Sequence, residues 1–539
     1  MSTTEITPYR STVRPGRNGF AQLLRAEWTK LRTVRGWTIG LVIAVLLTVG
    51  LGVLVAVGGS IVCGSNPDGS DSKSGAACRQ NPPLGPDGEA VSDSFYFVHQ
   101  PLTGDGSITV RVTSLTGLYS THGAIQPDAG TAGLTPGTQP WTKAGIIIKQ
   151  NTTQGSAYAA MAVTGSNGVR MQYNYSHDIA GDSGTATATS PQWLRLTRSG
   201  DTVSGYDSRD GVHWTQVGTA TLAGLPSTVQ VGLFTTSPGY TVTSDSFGGG
   251  SSTGGPTLGT GTFDNVALQS SSPAGAWTGS AIGDDSARAL SMAQNEQFQQ
   301  TDGTFTVTGS GDIAPAGGQG PGAQRAAEES LVGVFAGLIA VIVVAAMFIT
   351  AEYRRGLIRI TLAASPRRGR MLAAKTTVIG VVAFVTGLIA AAVALPLGNH
   401  MAYNHGTYVL PIPATTELRL IVGTAAMFAV VAVLALAVGT LFRRSTAAVT
   451  LVIVAIVLPY ILAVAEVLPG GTAQWLTRLT PAAAFAVQQS LVPYPQVTAT
   501  YTPANGYFPL SPWAGFGVLC AYAAVALGLA FLRLRRRDA

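Results

Sequence analysis

The sequence predicts an α-helical polytopic membrane protein with six transmembrane helices and an all-β sandwich inserted outside the membrane. Only 11% of the 539 residues are charged, less than half of the roughly 25% that soluble domains carry. Long uncharged apolar runs alternate with short basic loops, and short alternating segments fill the stretch between the first two runs. So few charges cannot cover one soluble globule, and the 46% hydrophobic content excludes a disordered chain.

Six apolar segments are long enough to cross a bilayer, which requires about 20 residues. A charge at the membrane centre costs about 2.5–3.5 kcal/mol on insertion scales, so runs without interior charges are a strong signal. The fifth segment carries Glu466 near one end and Pro459 near its middle. We place the spans at 37–60, 330–351, 374–397, 419–442, 446–468 and 512–532.

The loops between the spans predict the orientation of the chain. The N-terminal stretch, residues 352–373, Arg443 with Arg444, and the C-terminus are rich in arginine and lysine, whereas 398–418 has none. The positive-inside rule therefore places both termini in the cytoplasm and 61–329 outside the plasma membrane. Residues 61–325 carry 19 acidic and 11 basic residues, so the net charge of +6 comes from membrane flanks and predicts no nucleic-acid partner.

The same patterns divide the chain into segments. Phe20, Leu23, Leu24, Glu27 and Leu31 follow helical spacing and predict an amphipathic helix on the membrane surface. The alternative is an ordinary basic flank of the first span. The expected segments are a disordered cytoplasmic tail (1–19), this interfacial helix (20–36), span one (37–60), an extracellular linker (61–83), the sandwich (84–268), a stalk (269–329), spans two to six (330–532) with a cytoplasmic loop (352–373), and a basic tail (533–539). Within the stalk, GTFTVTGSGDI (303–313) is a candidate for one further strand.

The extracellular part reads as many short strands. GVRMQYNY (168–175) alternates apolar and polar residues, and turn signals such as Arg209-Asp210-Gly211 separate similar segments, which predicts a β-sandwich. Asp207 and Asp210 flank a turn rather than face each other across a cleft, and the histidines lack ligand spacing. We therefore expect no catalytic residue and no metal site. Trp141, Trp193 and Trp214 are candidates for stacking on sugar rings, with burial in the core as the alternative.

Two cysteines lie in the predicted extracellular linker. Cys63 and Cys78 flank a polar, Gly/Ser-rich stretch and form a candidate disulfide, because such bridges persist outside the cytoplasm. The alternative is two free thiols in a loose linker. Cys520 lies within span six and is expected to pack in the membrane.

Several phrases of the extracellular part resemble a laminin-G or concanavalin-like jelly roll. They are WTKAGIIIKQ (141–150), WLRLTRSGDTVSGYDSRDGVHWTQVG (193–218), VQVGLFTTS (229–237) and GTFDNVAL (261–268). The resemblance covers about 185 residues and implies a jelly-roll sandwich, with cell-wall glycan as a candidate ligand.

Two phrases of the membrane part resemble type 2 ABC transporter permeases, the six-span membrane subunits of ABC exporters. They are LLRAEWTKLRTVRGW before span one and ITAEYRRGLIRITLAASPRRGRMLAAK between spans two and three. The resemblance implies a coupling helix that docks on the ATPase, and a re-entrant element at 475–493 before the last span. The implied coupling residues are Glu352, Tyr353, Arg354, Arg355, Gly356, Arg359, Thr361, Pro366, Arg367 and Arg368.

The resemblance implies an exporter permease. No charged residue lies deep within the predicted spans, which favours an apolar or amphiphilic substrate over a small ion. No G-x-x-x-x-G-K-[ST] phosphate loop occurs in the sequence, so we expect no enzyme activity and no cofactor in this chain, with ATP on a partner ABC ATP-binding subunit. A permease homodimer or heterodimer and membrane lipid are the other implied partners. The alternative is a membrane-anchored extracellular carbohydrate-binding or sensor protein, for which one or two spans would suffice.

Overall fold

The structure is a computed structural model of the chain. It describes residues 19–58, 62–63, 73–74, 81–120, 134–187, 189–246, 249–270, 275–283, 296–316, 324–354, 368–497 and 501–536.

Six helices of the described residues are long and apolar enough to cross a membrane, which confirms the predicted spans. Two shorter α-helices, α1 and α7, accompany them. Helix α1 ends just before the first span begins, where Val34 is extended. The helices are α1 (Phe20–Thr33), α2 (Arg35–Gly58), α3 (Val334–Arg354), α4 (Arg368–Asn404), α5 (Ala414–Phe442), α6 (Ser445–Val464), α7 (Gly470–Leu479) and α8 (Pro512–Arg536).

Small residues let the long helices approach each other closely. A methyl group added at Gly52 of α2 would lie 2.2 Å from the carbonyl oxygen of Ser330, and one at Gly337 of α3 would lie 2.2 Å from Thr48 Oγ1. At Gly387 of α4, it would lie 2.8 Å from the Phe428 ring. Close backbone approach through glycine is typical of helices packed within a membrane. Among the six spans, α3 and α5 are the most deeply buried, whereas α2 and α8 keep most of their surface exposed.

Three short helices lie among the described residues between α6 and α8. Helix α7 has only ten residues, a 3₁₀-helix in which every residue is buried follows at Pro481–Gln488, and a second 3₁₀-helix lies at Pro503–Asn505. None of them is long enough to cross a bilayer, which agrees with the short element that the sequence predicts at 475–493. We call Pro481–Gln488 the buried 3₁₀-helix below.

The described part of the chain between α2 and α3 is mostly β-structure, with a 3₁₀-helix at Ala327–Leu331 just before α3. Its strands are β1 (Val62–Cys63), β2 (Lys73–Ser74), β3 (Val91–Asp93), β4 (Phe95–Thr103), β5 (Gly106–Tyr119), β6 (Thr135–Pro136), β7 (Lys143–Lys149), β8 (Tyr158–Thr164), β9 (Val169–Tyr173), β10 (His177–Ala180), β11 (Gln192–Ser199), β12 (Thr202–Ser208), β13 (Thr215–Thr221), β14 (Thr228–Thr236), β15 (Tyr240–Ser246), β16 (Gly249–Gly255), β17 (Thr257–Ser270), β18 (Thr278–Ile282), β19 (Gln297–Thr301), β20 (Thr304–Gly309), β21 (Ile313–Pro315) and β22 (Gln324–Arg325); β23 (Tyr408–Val409) follows α4.

Two antiparallel sheets form the predicted sandwich. The seven-stranded sheet has the order β10-β9-β8-β7-β14-β4-β18, and the eight-stranded sheet has the order β13-β12-β11-β5-β17-β20-β19 with β6 beside β5. Alternate side chains such as Leu194, Leu196, Val231 and Leu233 are buried in one shared core. This period of two places the intervening side chains on the outer faces.

The predicted stalk over 269–329 is wrong for much of its length. Strand β18 pairs with β4 at the edge of one sheet, and β20 pairs with β17 in the other. Phe305 and Val307 of β20 are buried in the sandwich core. Strands β18 and β20 are rich in Gly and Thr, and they bury one and two apolar side chains, respectively. Their apolar signal is therefore weak, and neighbouring strands supply the rest of the core.

The chain enters and leaves the sandwich through paired strands, which we call the root. Strand β21 pairs antiparallel with β3. The two lysines at the ends of β7 fasten this root: Lys149 Nζ lies 2.8 Å from Asp93 Oδ2, and Lys143 Nζ lies 2.9 Å from Asp312 Oδ1. Both lysines are at most 1% exposed. The root therefore moves with the sandwich as one packed unit.

The candidate disulfide falls largely outside the described residues. Only the backbone of Cys63 is described, in β1 opposite Lys73, and Cys78 lies outside the described residues. The bridge stays a prediction.

Candidate functional site

Four charged side chains meet at the end of the spans that carries α1, and we call them the ion cluster: Glu27, Lys30, Glu352 and Lys375. Lys375 Nζ lies 2.6 Å from Glu27 Oε2 and 2.7 Å from Glu352 Oε1. Lys30 Nζ lies 3.1 Å from Glu27 Oε1 and 3.0 Å from Glu352 Oε1. Two acids and two bases balance, so the cluster is neutral although it is largely withdrawn from water.

The cluster joins three helices that are distant in sequence. Glu27 lies on the buried face of α1, and Glu352 lies two residues before the end of α3 at Arg354. Lys375 lies in the first turns of α4. Lys375 is 0% exposed and Glu27 is 3% exposed. A buried charge that loses its partner costs several kcal/mol, so these helices are strongly constrained to stay together.

Aromatic rings close the cluster on its apolar side. The Phe348 ring lies 4.8 Å from Lys375 Nζ and packs edge-on against Trp37 of α2 at 5.2 Å. A cation over an aromatic face is attracted by the ring. Phe348 thereby links α2 to the contact between α3 and α4.

The surroundings of the ion cluster act on Lys30 and on Glu352 in different ways. Burial lowers the pKa of Lys30, but the carboxylates of Glu27 and Glu352 outweigh this effect and leave that pKa above its usual value of 10.5. Lys30 is therefore charged at neutral pH, and its contribution to stability is lost as the pH rises from 10.5 through that raised pKa. The second oxygen of Glu352, Oε2, is buried without a hydrogen-bond partner among the described residues.

Arginines tie the neighbouring helix ends to each other. Arg368 Nη1 donates to the carbonyl oxygen of Leu534 at 2.8 Å, and Arg533 donates to the carbonyl oxygen of Leu441. The Arg443 guanidinium lies 5.2 Å from the Tyr353 ring centroid. Cations at helix C-termini satisfy carbonyl groups that lack partners within the helix. The ends of α3, α4, α5 and α8 form one connected layer beside the ion cluster.

Four of the ten predicted coupling residues lie among the described residues. Glu352 lies in the ion cluster, Tyr353 in the arginine layer, Arg354 at the end of α3, and Arg368 at the start of α4. The other six, Arg355, Gly356, Arg359, Thr361, Pro366 and Arg367, lie outside the described residues.

Three residues of the ion cluster are absent from the predicted site. Glu27 interrupts the apolar positions Leu24 and Leu31 on one face of α1, and a charge on a buried face signals a buried partner. Lys375 stands just inside an apolar run and resembles an ordinary basic flank. Which acid meets which base depends on helix packing, which the sequence alone does not supply.

The three candidate tryptophans do not form one platform. Trp141 is 8% exposed, whereas Trp193 and Trp214 are half-buried beside the outer face of the eight-stranded sheet. The Arg195 guanidinium lies 3.8 Å from the Trp214 ring centroid and covers one face of that ring. Stacking on glycan stays a prediction for Trp193 and Trp214. Among the described residues, no group of three or more His, Cys, Asp or Glu side chains could hold a metal ion.

A comparison with protein families decides the class of the membrane part. A model described as "ABC-2 family transporter protein" matches residues 239–532, which is more than half of the chain. The chain belongs to the ABC-2 transporter family. The ABC-2 match covers spans two to six, and therefore both Glu352 and Lys375 of the ion cluster. A comparison with curated proteins finds no match.

Solved structures similar to this ABC-2 protein share low identity with it. The GH43 BlXynB protein from Bacillus licheniformis is 16% identical, with a TM-score of 0.16, 24% of this chain covered and 24% of its own. A functionally unknown protein from Saccharomyces cerevisiae is 16% identical, with a TM-score of 0.18 and coverages of 34% and 77%. Scytalido-glutamic peptidase is 8% identical, with a TM-score of 0.24 and coverages of 40% and 98%. The match thus spans about a quarter of the GH43 protein.

Proposed function

We propose that the chain is the membrane-spanning permease subunit of an ABC exporter, driven by ATP that a separate subunit hydrolyses. The family match over residues 239–532 carries this proposal. The orientation that fits it has both termini and the ion cluster in the cytoplasm and the sandwich outside the plasma membrane. The arginine-rich helix ends beside the ion cluster support that orientation.

The ion cluster would transmit movement from the ATPase into the spans. The loop between α3 and α4 is the segment that would dock on the ATPase, and Glu352 and Lys375 lie just before and after it. Because these side chains are paired at 2.7 Å, a push on the loop moves the ends of both helices together. Glu27 carries the same movement to α1, which lies at the membrane surface in this orientation.

The spans favour an apolar or amphiphilic substrate. In the described helices, the charged side chains lie near the helix ends, and the middle of α4 and α5 is rich in Ala and Gly. Ion and proton pathways use charged residues within the membrane, so their absence from the middle of these described helices disfavours a small ion as substrate. Two permease halves would enclose the path, as either a homodimer or a heterodimer.

Purification from native membranes tests the proposal. We expect an ABC ATP-binding subunit to co-purify with the chain, and the complex in proteoliposomes to hydrolyse ATP in a vanadate-sensitive way. A chain that purifies repeatedly without any ATP-binding protein, and that leaves ATP untouched in vesicles, would overturn the permease assignment. Binding of the same preparation to cell-wall glycan alone would then support a tethered binding protein.

A further inference from the structure

A buried glutamine joins the sandwich to the membrane part of the chain. Gln496 is 1% exposed, and it lies between the buried 3₁₀-helix and α8. Its Nε2 donates to the carbonyl oxygens of Tyr175 at 3.2 Å and Ser176 at 3.3 Å. Tyr175 and Ser176 belong to the turn between β9 and β10. The contact therefore connects two parts of the chain more than 300 residues apart.

The turn that receives Gln496 is held in an unusual backbone conformation. Asn174 has φ 43° and Tyr175 has φ 62°, a region that large side chains rarely adopt. The Tyr175 ring nevertheless lies in the sandwich, where its Oη donates to Asp93 Oδ2 at 2.7 Å. Left-handed backbone persists only where the surroundings determine it. Tyr175 thus connects the Gln496 contact directly to the root strand β3.

The same segment is hydrogen-bonded to the spans six to eight residues earlier, at Gln488, Gln489 and Ser490. Glu328, just before α3, accepts hydrogen bonds from the backbone N–H of Ser490 at 3.0 Å and from the Ser490 hydroxyl. Arg419 of α5 donates to the carbonyl oxygen of Gln489. Gln488 Nε2 donates to Thr424 Oγ1 of α5 at 2.9 Å. We call residues 488–496 the strap. The strap runs from these hydrogen bonds with the spans to the contact of Gln496 with the sandwich.

The strap continues directly from the buried 3₁₀-helix, which is packed without free space. The Phe485 ring stacks on Tyr460 of α6 with ring centroids 3.8 Å apart. A methyl group at Gly515 of α8 would lie 2.2 Å from the carbonyl oxygen of Ala483, and one at Gly423 of α5 would lie 2.5 Å from Val487. Close-packed elements transmit displacement instead of absorbing it. Moving the strap must move this helix against α5, α6 and α8.

We propose that the strap makes the sandwich a regulator of the permease: the position of the sandwich controls the buried 3₁₀-helix, and a ligand that shifts the sandwich changes transport. The proposal rests on the permease function proposed above. The chain of contacts runs from Asp93 and Tyr175 through Gln496 to Ser490 and the buried 3₁₀-helix. Because the strap continues into a helix that is packed against three spans, fixing the strap to the sandwich restrains the movement of that helix.

Reversible cross-linking of the strap to the sandwich tests this proposal. The variant carries Ser176→Cys and Gln496→Cys in a chain with Cys63→Ser, Cys78→Ser and Cys520→Ala. A short bifunctional methanethiosulfonate joins the two thiols, and reductant releases them. The matched control is Ser204→Cys with Thr219→Cys, whose side-chain oxygens lie 3.1 Å apart on β12 and β13 of the same sandwich. The native complex in proteoliposomes is assayed for ATP hydrolysis before cross-linking, after it, and after reduction.

We expect the strap cross-link to lower ATP hydrolysis about fivefold or more, the range of ordinary allosteric coupling, and reductant to restore it. The control cross-link should leave hydrolysis unchanged. Full hydrolysis in the cross-linked strap variant, or equal inhibition by the control, overturns the regulatory role. If the uncross-linked parent binds no ATPase, the permease function fails instead, and the two failures are thereby distinguished.

A second readout requires no ATPase. Gln496→Ala should speed hydrogen exchange at the backbone amides of the buried 3₁₀-helix, because local protection follows local stability. The matched control is Gln474→Ala, since Gln474 Nε2 also donates to a backbone carbonyl, that of Tyr501 at 2.9 Å. Unchanged exchange across 481–488 in the Gln496→Ala variant would show that the sandwich contact does not reach this helix.

Discussion

Lys375 Nζ lies 2.6 Å from Glu27 Oε2, although the two residues are 348 positions apart in the chain. Both side chains are at most 3% exposed, so solvent screens the pair little. The contact fixes α1, the helix before the first span, against the start of α4. A helix that the sequence describes as a surface element is thus joined to the inner packing of the spans.

Removing Lys375 alone should strongly destabilise the spans. Lys375→Met leaves Glu27 and Glu352 facing each other with only the half-exposed Lys30 between them. Loss of one partner from a buried pair typically costs about 3–5 kcal/mol. We expect a clear drop in the melting temperature of the detergent-solubilised chain, and a smaller drop for Lys30→Met, whose side chain is 41% exposed. Equal melting of the Lys375→Met variant and the parent would contradict the buried ion cluster.

Removing one acid and one base together should restore much of that stability. The double variant Glu27→Gln with Lys375→Met keeps the pair between Lys30 and Glu352 at 3.0 Å and leaves no unbalanced charge. Neutral replacements of a buried pair are often tolerated. A double-mutant cycle of melting temperatures measures the coupling, and simple addition of the two single effects would rule out direct pairing of Glu27 with Lys375.

Charge-preserving changes in the loop after α3 should separate ATPase docking from lipid attraction. Arg355→Lys and Arg359→Lys keep the attraction to anionic lipid, worth about 1 kcal/mol per charge, but lose the planar fork that binds a carboxylate. Gly356→Val adds a branched side chain where a partner would approach. We expect unchanged membrane insertion and weaker co-purification of the ATPase. If all three variants hold and stimulate the ATPase like the parent, the loop only attracts lipid.

Acidification should stabilise the sandwich through Glu89. Burial raises the pKa of the Glu89 carboxyl above 4.5. Backbone N–H groups of Glu89 and Asp87 and the charge of His177 oppose this effect, and the charge of Asp87 adds to it. The folded state therefore binds the proton more tightly, and stability is lost as the pH rises from 4.5 through the raised pKa. Glu89→Gln should melt at a higher temperature than the parent at neutral pH.

The control for Glu89 is the same pair of proteins in acid. With residues 81–316 purified as a soluble domain, parent and Glu89→Gln should melt together below pH 4.5, where the parent side chain is neutral. Parallel melting curves at every pH would mean that Glu89 is solvated in the folded domain.

Thiol labelling tests the predicted bridge between Cys63 and Cys78. In intact cells, a membrane-impermeant maleimide should label neither cysteine until reductant is added. The loop is short, so we expect the bridge to stabilise the domain by about 3 kcal/mol in the chain-entropy model. Labelling without reductant would establish two free thiols.

The sequence predicts the six spans and the alternating strands well, because apolar length and period two are local properties. The sequence is a weaker guide to features that depend on how the helices and strands pack against each other. Phe305 and Val307 are the only buried apolar side chains of strand β20, and pairing with β17 turns that weak pattern into a core strand. Glu352 is found through the phrase around it, whereas Lys375 resembles an ordinary basic flank. Gln496 gives no signal, because its partners are backbone carbonyls that are brought to it by the fold.

The most direct test of the account is ATP hydrolysis by the native complex that carries Glu27→Gln with Lys375→Met. The loop after α3 is unchanged in this variant, so we expect the ATP-binding subunit to co-purify in normal amount. Helix α1 is no longer paired with α4, so hydrolysis in proteoliposomes should fall well below that of the parent complex. Hydrolysis equal to the parent, in a variant that folds and binds its ATPase, would contradict transmission through the ion cluster.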